Sequence, residues 1–466
     1  MAAAVAPNYH PRPSKCHACA APFTTGCNLC EVCFYGAYCS MACSVAHWPT
    51  HYVVCTAVKA AKEARNTAKV DAEQKARAEA EAARKLALRR AHVSLDVGKS
   101  TATEIVRAMR DFPEDASLAV KSFRAFKGID AQTLISADAL VAIVAAMRAH
   151  LGNVDVARNG IRLLGMAAEF PAGEQAVIDA DAANVFIATM CVHKGDVEIV
   201  LEGCAALDIL LCSLSGQQAA IDAGAPAFIV MIMQFHLSAA KIAKSCVSLL
   251  NNIANLSVGA QAAICADAPA ALVAAMCTHA DIADIARGGC LSIFQLSRLP
   301  VGKLAAIEAN ALPIVVSAMR VHVADAFVAD YGCAAIGMVV DHPQGVQAAI
   351  DAGAPAAIVM AMRAHSDRVN VTQTGCAVIV HIASVPAGQQ AALDAGAPAA
   401  VIKALRIHFR NPGIATVCCI ALHSFASTPA GKAAVIAAGG REAIASAMSR
   451  HEEAGEWGRK ALASLE

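Results

Sequence analysis

From residue 101 to residue 466, apolar residues recur at helical spacing, and Gly, Pro and His interrupt them at regular intervals. The clearest stretch reads GVQAAIDAGAPAAIVMAMRAH, from Gly345 to His365, followed by SDRVNVTQTGCAVIVHIASVPAG. Here Gly353 suits the left-handed conformation that closes a short first helix, and Pro355 suits the first turn of a second. The second helix continues to Met362 and ends around His365. A third runs from about Val371 to Ile382, where Pro386 and Gly388 break it. The same Pro is read at Pro226, Pro269, Pro313 and Pro398, and the same Gly at Gly224 and Gly396, with Asp267 and Ala311 in its place in two copies.

A histidine makes the period countable. His150, His193, His236, His279, His322, His365, His408 and His451 close segments such as AMRAH, TMCVH and AMRVH, each 43 residues after the last. A period of this size belongs to arrays of two or three helices per unit. Such a unit cannot bury its apolar face alone, so neighbours stack at about 10 Å into one continuous core. With 57% hydrophobic but only 4% aromatic residues, that core is built from Ala, Val, Ile and Leu. The pattern resembles the armadillo repeat, with its Gly-x-Pro turn and its third helix of the form A-x-x-A-L-x-N-L-A. The resemblance implies an all-α, armadillo-like α-solenoid of about eight to nine repeats over residues 101–466.

Stacked histidines about 10 Å apart cannot share one metal ion, whose ligands sit about 2 Å away. Each is therefore expected to cap the second helix by bonding its last carbonyls. The recurrent Gly-Cys at Cys204, Cys290, Cys333 and Cys376 falls where the third helix needs a small buried residue. In peptide-binding armadillo proteins an Asn ladder on the third helix grips the ligand backbone. The equivalent ladder here reads Met166, Ile209, Asn252, Gln295, Met338, His381 and Ser424, so Asn252 and Gln295 leave a polar stretch in the middle.

Between Thr56 and about Arg90 the chain is rich in Ala, Lys, Glu and Arg and lacks Gly and Pro, which predicts a solvated helix. Pairs at i, i+4 such as Asp71 with Lys75, Glu73 with Arg77 and Glu81 with Lys85 support it. Between Thr56 and Ser100 there are eleven basic against six acidic residues.

The first 55 residues hold eight of the nineteen cysteines. Cys16-x2-Cys19, Cys30-x2-Cys33, Cys39-x3-Cys43 and His51-x3-Cys55 have the short spacings that bring two side chains to one tetrahedral zinc. Eight such ligands make two closed sites, leaving no position for a reactive water, so both zincs would be structural. The segment resembles a MYND zinc finger, including Tyr38-Cys39-Ser40 and the His-Trp-Pro-x-His-x3-Cys ending from His47 to Cys55. The five-residue gap of that family between Cys33 and Cys39 leaves Cys27 spare, whereas a rival register through Cys27 and Cys30 leaves eight residues there. The resemblance implies alternating pairs: Cys16, Cys19, Cys39 and Cys43 on one zinc, and Cys30, Cys33, His51 and Cys55 on the other. It also implies a groove for short proline-containing peptides beside Trp48, and the chain departs from the family at Ser44, where a Gln commonly stands.

The expected organisation is thus a disordered N-terminus (1–15), a MYND finger (16–55), a charged helical linker (56–100) and a solenoid (101–466). No phosphate-cradling loop, nucleophile elbow or metalloprotease motif appears. These features point to a non-catalytic adaptor that binds proteins or short peptides in a reducing compartment, cytoplasmic or nuclear, and not a membrane. The alternative is a nucleic-acid-associated transcriptional regulator that uses the finger and the basic linker. A formal charge of zero and the acids interleaved along that linker argue against it. A MYND-containing methyltransferase would need a strand-rich domain for which the helical repeats leave no room.

Overall fold

A computed structural model describes residues 28–29, 37–38, 41–95 and 100–466, with side chains chiefly from Lys59 onward. The N-terminal stretch 1–15 and Cys16, Cys19, Cys30, Cys33 and Cys39 lie outside the described residues. The chain divides into two units, Met1–Val93 and Ser94–Glu466.

In the first unit, β1 (Asn28–Leu29) and β2 (Ala37–Tyr38) pair antiparallel, with Asn28 opposite Tyr38. Helix α1 (Met41–Ser94) has 54 residues. It begins well before Thr56, so Cys43, His51 and Cys55 occupy helical backbone, with His51 and Cys55 one turn apart. Beyond Lys59 its side chains face solvent almost without exception, as a helix whose apolar positions are mostly Ala requires. Lys85 pairs with Glu81 at 2.6 Å. Lys75 approaches Glu79 at 4.0 Å and not the expected Asp71.

The second unit opens with a helix pair, α2 (Ala102–Asp111) and α3 (Ala116–Ala125). Thr101 starts it through a reciprocal capping box: its hydroxyl accepts from the Glu104 amide, and the Glu104 carboxylate accepts from the Thr101 amide at 2.9 Å. Three-helix repeats follow as α4–α6 (Ala131–Ser136, Ala139–Ala149, Val154–Ala168), α7–α9 (Pro171–Asp179, Ala182–Val192, Val197–Leu210), α10–α12 (Leu214–Asp222, Ala225–Phe235, Ala240–Ala254) and α13–α15 (Ser257–Cys265, Ala268–Thr278, Ala283–Leu296). The array continues as α16–α18 (Pro300–Glu308, Ala311–Val321, Ala326–Val340), α19–α21 (Pro343–Asp351, Ala354–Ala364, Val369–Ile382), α22–α24 (Pro386–Asp394, Ala397–Ile407, Pro412–Phe425) and α25–α27 (Pro429–Ala437, Gly440–Arg450, Gly455–Ser464). Second helices pack on second helices and third on third, which produces two layers with one core between them. Among the described residues no single helix is long and apolar enough to cross a membrane.

Each first helix meets its second at about a right angle, 70° to 77° in five repeats. The corner is one left-handed residue, from Asp138 at φ +54° to Gly439 at +82°. Gly224, Gly353 and Gly396 hold it as expected, but Ala311 does not. The left-handed residue there is Asn310, and Pro313 stands one position past the place that Pro355 occupies. Asn and Asp tolerate this conformation better than other residues with a Cβ, which keeps the 43-residue interval intact.

Pro386 does not merely break a helix. It is the first residue of α22, and Pro171, Pro300, Pro343 and Pro429 open their first helices in the same way. Gly388 likewise lies inside α22. It belongs to a second lattice of Gly173, Gly216, Gly259, Gly302, Gly345, Gly388 and Gly431. At each, a Cβ would be driven into a backbone carbonyl oxygen at the end of the preceding third helix, Val339 in the case of Gly345. Another lattice explains the Met of the AMRAH segments. Met147, Met190, Met276, Met319 and Met362 lie over Gly160, Gly203, Gly289, Gly332 and Gly375 of the third helices, filling the space a side chain would take.

The histidines cap the second helices through their backbone. His322 N–H, for example, donates to the Ala318 carbonyl at 2.9 Å. Their rings do not bond their own helix, contrary to expectation. In every one but His150, whose Nε2 is buried without a partner, Nε2 reaches back 42 residues to the loop of the preceding repeat: His193 to the Leu151 carbonyl at 2.7 Å, His279 to Leu237 and His322 to Ala280 at 2.8 Å. The rung recurs at His236, His365, His408 and His451. Because the acceptor is a carbonyl, Nε2 carries the proton. The ladder is therefore a set of rivets between repeats. Changing His279 and His322 together to Ala is expected to cost about 2 kcal/mol, roughly 1 per lost bond, in urea unfolding. Any metal bound by the chain should be unaffected, and loss of a metal would refute the riveting role.

A parallel row of Arg staples runs two residues earlier. Arg320 donates to the Gly353 carbonyl at 3.3 Å, Arg363 to Gly396 at 3.2 Å and Arg406 to Gly439 at 3.5 Å. Arg148 pairs with Asp181, the corner of its next repeat.

Candidate interaction surface

The third helices carry the residues expected to meet a ligand, and the structure gives several of them other work. Asn252 on α12 donates through Nδ2 to Asp208 Oδ1 on α9 at 2.9 Å, and Ser248 approaches the same oxygen at 3.4 Å. Gln295 on α15 is 8% exposed and donates to Asn255 Oδ1 at 2.8 Å. Both amides thus join consecutive repeats through their N–H groups, and the polar stretch read in the sequence is turned inward, with the Gln295 Oε1 buried and unpartnered. Among the other ladder positions, Met166 and His381 are exposed, and Ile209, Met338 and Ser424 are half-buried. Ser44 and Trp48 lie on α1 in the part whose side chains are outside the described set.

Ion pairs strengthen the same layer. Arg158 meets Glu198 at 2.9 Å, and Arg162 pairs with Glu202. Further along, Lys244 meets Asp284 at 2.6 Å, Asp284 meets Arg287 at 2.8 Å, and Arg287 meets Asp325 at 2.6 Å. The hydrogen bond and charge of Lys244 hold Asp284 below its ordinary pKa. Burial works against ionisation of Asp325, but Arg287 and the amides of Val328 and Phe327 outweigh it and lower its pKa as well.

The thiols form a buried column through the core. Cys204, Cys246, Cys290, Cys333, Cys376, Cys418 and Cys419 are at most 1% exposed, and the sulfurs of Cys376 and Cys418 lie 3.8 Å apart. Burial pushes Cys290 up to about 12 and Cys419 to about 11. The contact with Cys204, and then burial, raises Cys246; Cys376 acts in the same way on Cys418. A thiol held protonated in this way packs as a small apolar group. Among the described side chains no three His, Cys, Asp or Glu converge as a metal site. Of the eight predicted ligands, Cys43, His51 and Cys55 are described only as backbone of α1.

One opening in the solenoid was not anticipated from the sequence. Helix α3 has 10 residues against the 14 or 15 of third helices α6 to α24, so it leaves the last turns of α6 uncovered. Met166 is 62% and Phe170 56% exposed there, whereas the next ladder positions, Ile209, Asn252 and Gln295, are half-buried or buried. The result is a cleft of about 710 Å³ floored by Phe123, Phe126, Leu134, Leu163 and Met166, with Arg124 and Lys127 at its rim. Its only sequence signal is the divergent first repeat, whose helices are shorter than the lattice demands.

No protein-family model matches the sequence, and no curated protein matches it at a significant level. Solved structures do resemble it. An engineered protein determined in a structural-genomics programme is 20% identical, with a TM-score of 0.64 over 78% of this chain and 88% of its own. A chain from the study of a phosphorylation switch in the interaction between cadherin and β-catenin is 13% identical, with a TM-score of 0.57 over 77% of both chains. At these identities the likeness concerns the fold alone. Together with the 43-residue lattice of three-helix repeats, it makes the chain an armadillo-like helical-repeat solenoid.

Proposed function

We propose that the chain is a non-catalytic adaptor that joins protein partners through its solenoid and through an N-terminal zinc-binding MYND finger. One observation carries the reading. Seven of the eight lattice histidines, together with Arg320, Arg363, Arg406, Asn252 and Gln295, fasten repeats together and the core thiols are buried, while the array presents an extended surface with an uncovered apolar cleft. Extended surfaces of this kind are what stacked repeats offer to partners. The similar chain from the cadherin and β-catenin study, concerned with a protein–protein interaction, is consistent with it.

The finger rests on the sequence. Cys16, Cys19, Cys39 and Cys43 would hold one zinc, and Cys30, Cys33, His51 and Cys55 the other, with the metal supplying folding energy to a segment too short to build a sufficient core alone. Metal analysis of the full chain should find two zincs, both retained in Cys27→Ser and one lost in Cys33→Ser. One zinc in the parent, or loss of metal from Cys27→Ser, would overturn the ligand assignment.

Affinity capture with the full chain, and with the full chain carrying Cys33→Ser and His51→Ala, tests the adaptor reading. Two sets of protein partners are expected, one of which disappears with the finger. Capture of nucleic acid at about 50 mM salt, with affinity falling steeply as salt rises, would replace this reading with that of a nucleic-acid regulator working through α1.

A further inference from the structure

The cleft between α3, α4 and α6 has chemistry of its own. Its floor is apolar, from Phe123 and Phe126 on one side to Met166 and Phe170 on the other. Its polar groups are already engaged or stand outside the floor. Asp130 accepts the Thr133 amide at 2.9 Å and hydroxyl at 2.7 Å, capping α4, and Asn159 donates to the Asp155 carbonyl at 2.7 Å. Arg162 is tied to Glu198 and Glu202 on α9. Arg124 and Lys127 differ from these. Both are exposed at the rim, and among the described residues neither has a carboxylate within ion-pair distance.

A small-molecule site would have polar atoms converging inside the cavity to orient the ligand. This cleft instead has free positive charge beside exposed bulky apolar side chains, the combination that binds a macromolecular segment through buried anchors and a charged rim. We propose that the cleft docks a short segment of another protein that inserts two or three bulky apolar side chains against Met166 and Phe170 and sets carboxylates against Arg124 and Lys127. The proposal rests on the adaptor reading and names the partner of one part of its surface. Charge argues against the chain's own N-terminal stretch as the occupant, because residues 1–15 carry Arg12 and Lys15 and no acid.

Selection of a displayed random-peptide library on the full chain tests it. Peptides with bulky apolar residues flanked by Asp or Glu should be enriched, and a labelled consensus peptide should bind at least tenfold more weakly to Met166→Lys or to Arg124→Glu/Lys127→Glu. Selection on the doubly charge-reversed chain should return Lys- and Arg-flanked peptides. These positions are exposed, so unchanged circular dichroism confirms that the variants are folded. No enrichment, enrichment without acidic bias, or equal binding by Met166→Lys would overturn the proposal. So would tighter binding after removal of residues 1–15, which would make that stretch the occupant, or self-association abolished by Met166→Lys, which would make it a second copy. Partner capture that persists in Met166→Lys separates failure of the cleft from failure of the adaptor reading.

Discussion

Gly345→Ala is expected to destabilise the solenoid by about 3 kcal/mol, at the upper end for overpacking, in urea unfolding followed by far-UV circular dichroism. The new methyl group would be driven into the Val339 carbonyl oxygen. That oxygen cannot retreat easily, because it ends α18 and accepts the His342 amide at 3.0 Å. The Gly345 amide in turn donates to the His342 carbonyl at 2.8 Å, so neither side of the contact is slack. Gly195→Ala is the matched control, since a Cβ there meets nothing within 4 Å and its backbone is not left-handed. Its effect should stay within about 0.5 kcal/mol, as for other surface changes. Equal effects of the two substitutions would show that the close approach at Gly345 is not what excludes a side chain.

Alkaline pH should unfold the array through its thiols. An unfolded cysteine ionises near pH 8.5, whereas Cys246, Cys290, Cys333, Cys418 and Cys419 all hold their protons to higher pH in the fold. The folded state then binds more protons than the unfolded state, so stability falls as pH rises. The thiol contribution is fully present below pH 8.5 and is lost progressively above it, by up to about 1.4 kcal/mol per thiol per pH unit. Five thiols together give a slope of several kcal/mol per pH unit. Urea unfolding between pH 7 and pH 10 should show it, and Cys290→Ala/Cys333→Ala should flatten it by up to about 2.7 kcal/mol per unit. Stability that is level over that range, or a slope unchanged in the double variant, would mean that the column is open to solvent.

Much of this fold was legible because a repeat states its own period. The eight histidines locate the ends of second helices, and Gly353 and Pro355 locate the corner. What escaped were properties of repeat boundaries. The ring of His322 looks like a cap for its own helix until the Ala280 carbonyl, 42 residues away, is seen beside it. Gly388 looks like a helix breaker until Ile382 of the preceding third helix is seen against it. Asn310 was passed over because Pro313 drew the register one residue too far. At the candidate surface, Asn252 and Gln295 were recognisable as polar but not as already bonded to Asp208 and Asn255. The cleft left only an indirect trace in the sequence, the divergent first repeat, since it arises from the turns that α3 lacks.

The fastenings between repeats are unevenly shared, and the array should therefore yield along different axes in different places. Arg staples tie the second-helix edge at Arg148, Arg320, Arg363 and Arg406, but Cys191, Gln234 and Cys277 stand at the same position in three middle repeats. In that stretch the His rungs alone tie the second-helix edge, and the ion pairs lie on the opposite layer, through Lys244, Asp284, Arg287 and Asp325. A partner drawing on the middle repeats would thus splay the second-helix edge while the third helices act as the hinge pin. Beyond Arg320 the compliance reverses, because there the second-helix edge is the laced one. A spring with its soft side alternating along its length can follow a curved partner without breaking its core, and hydrogen exchange should be faster at the corner of Asp267 than at that of Gly396.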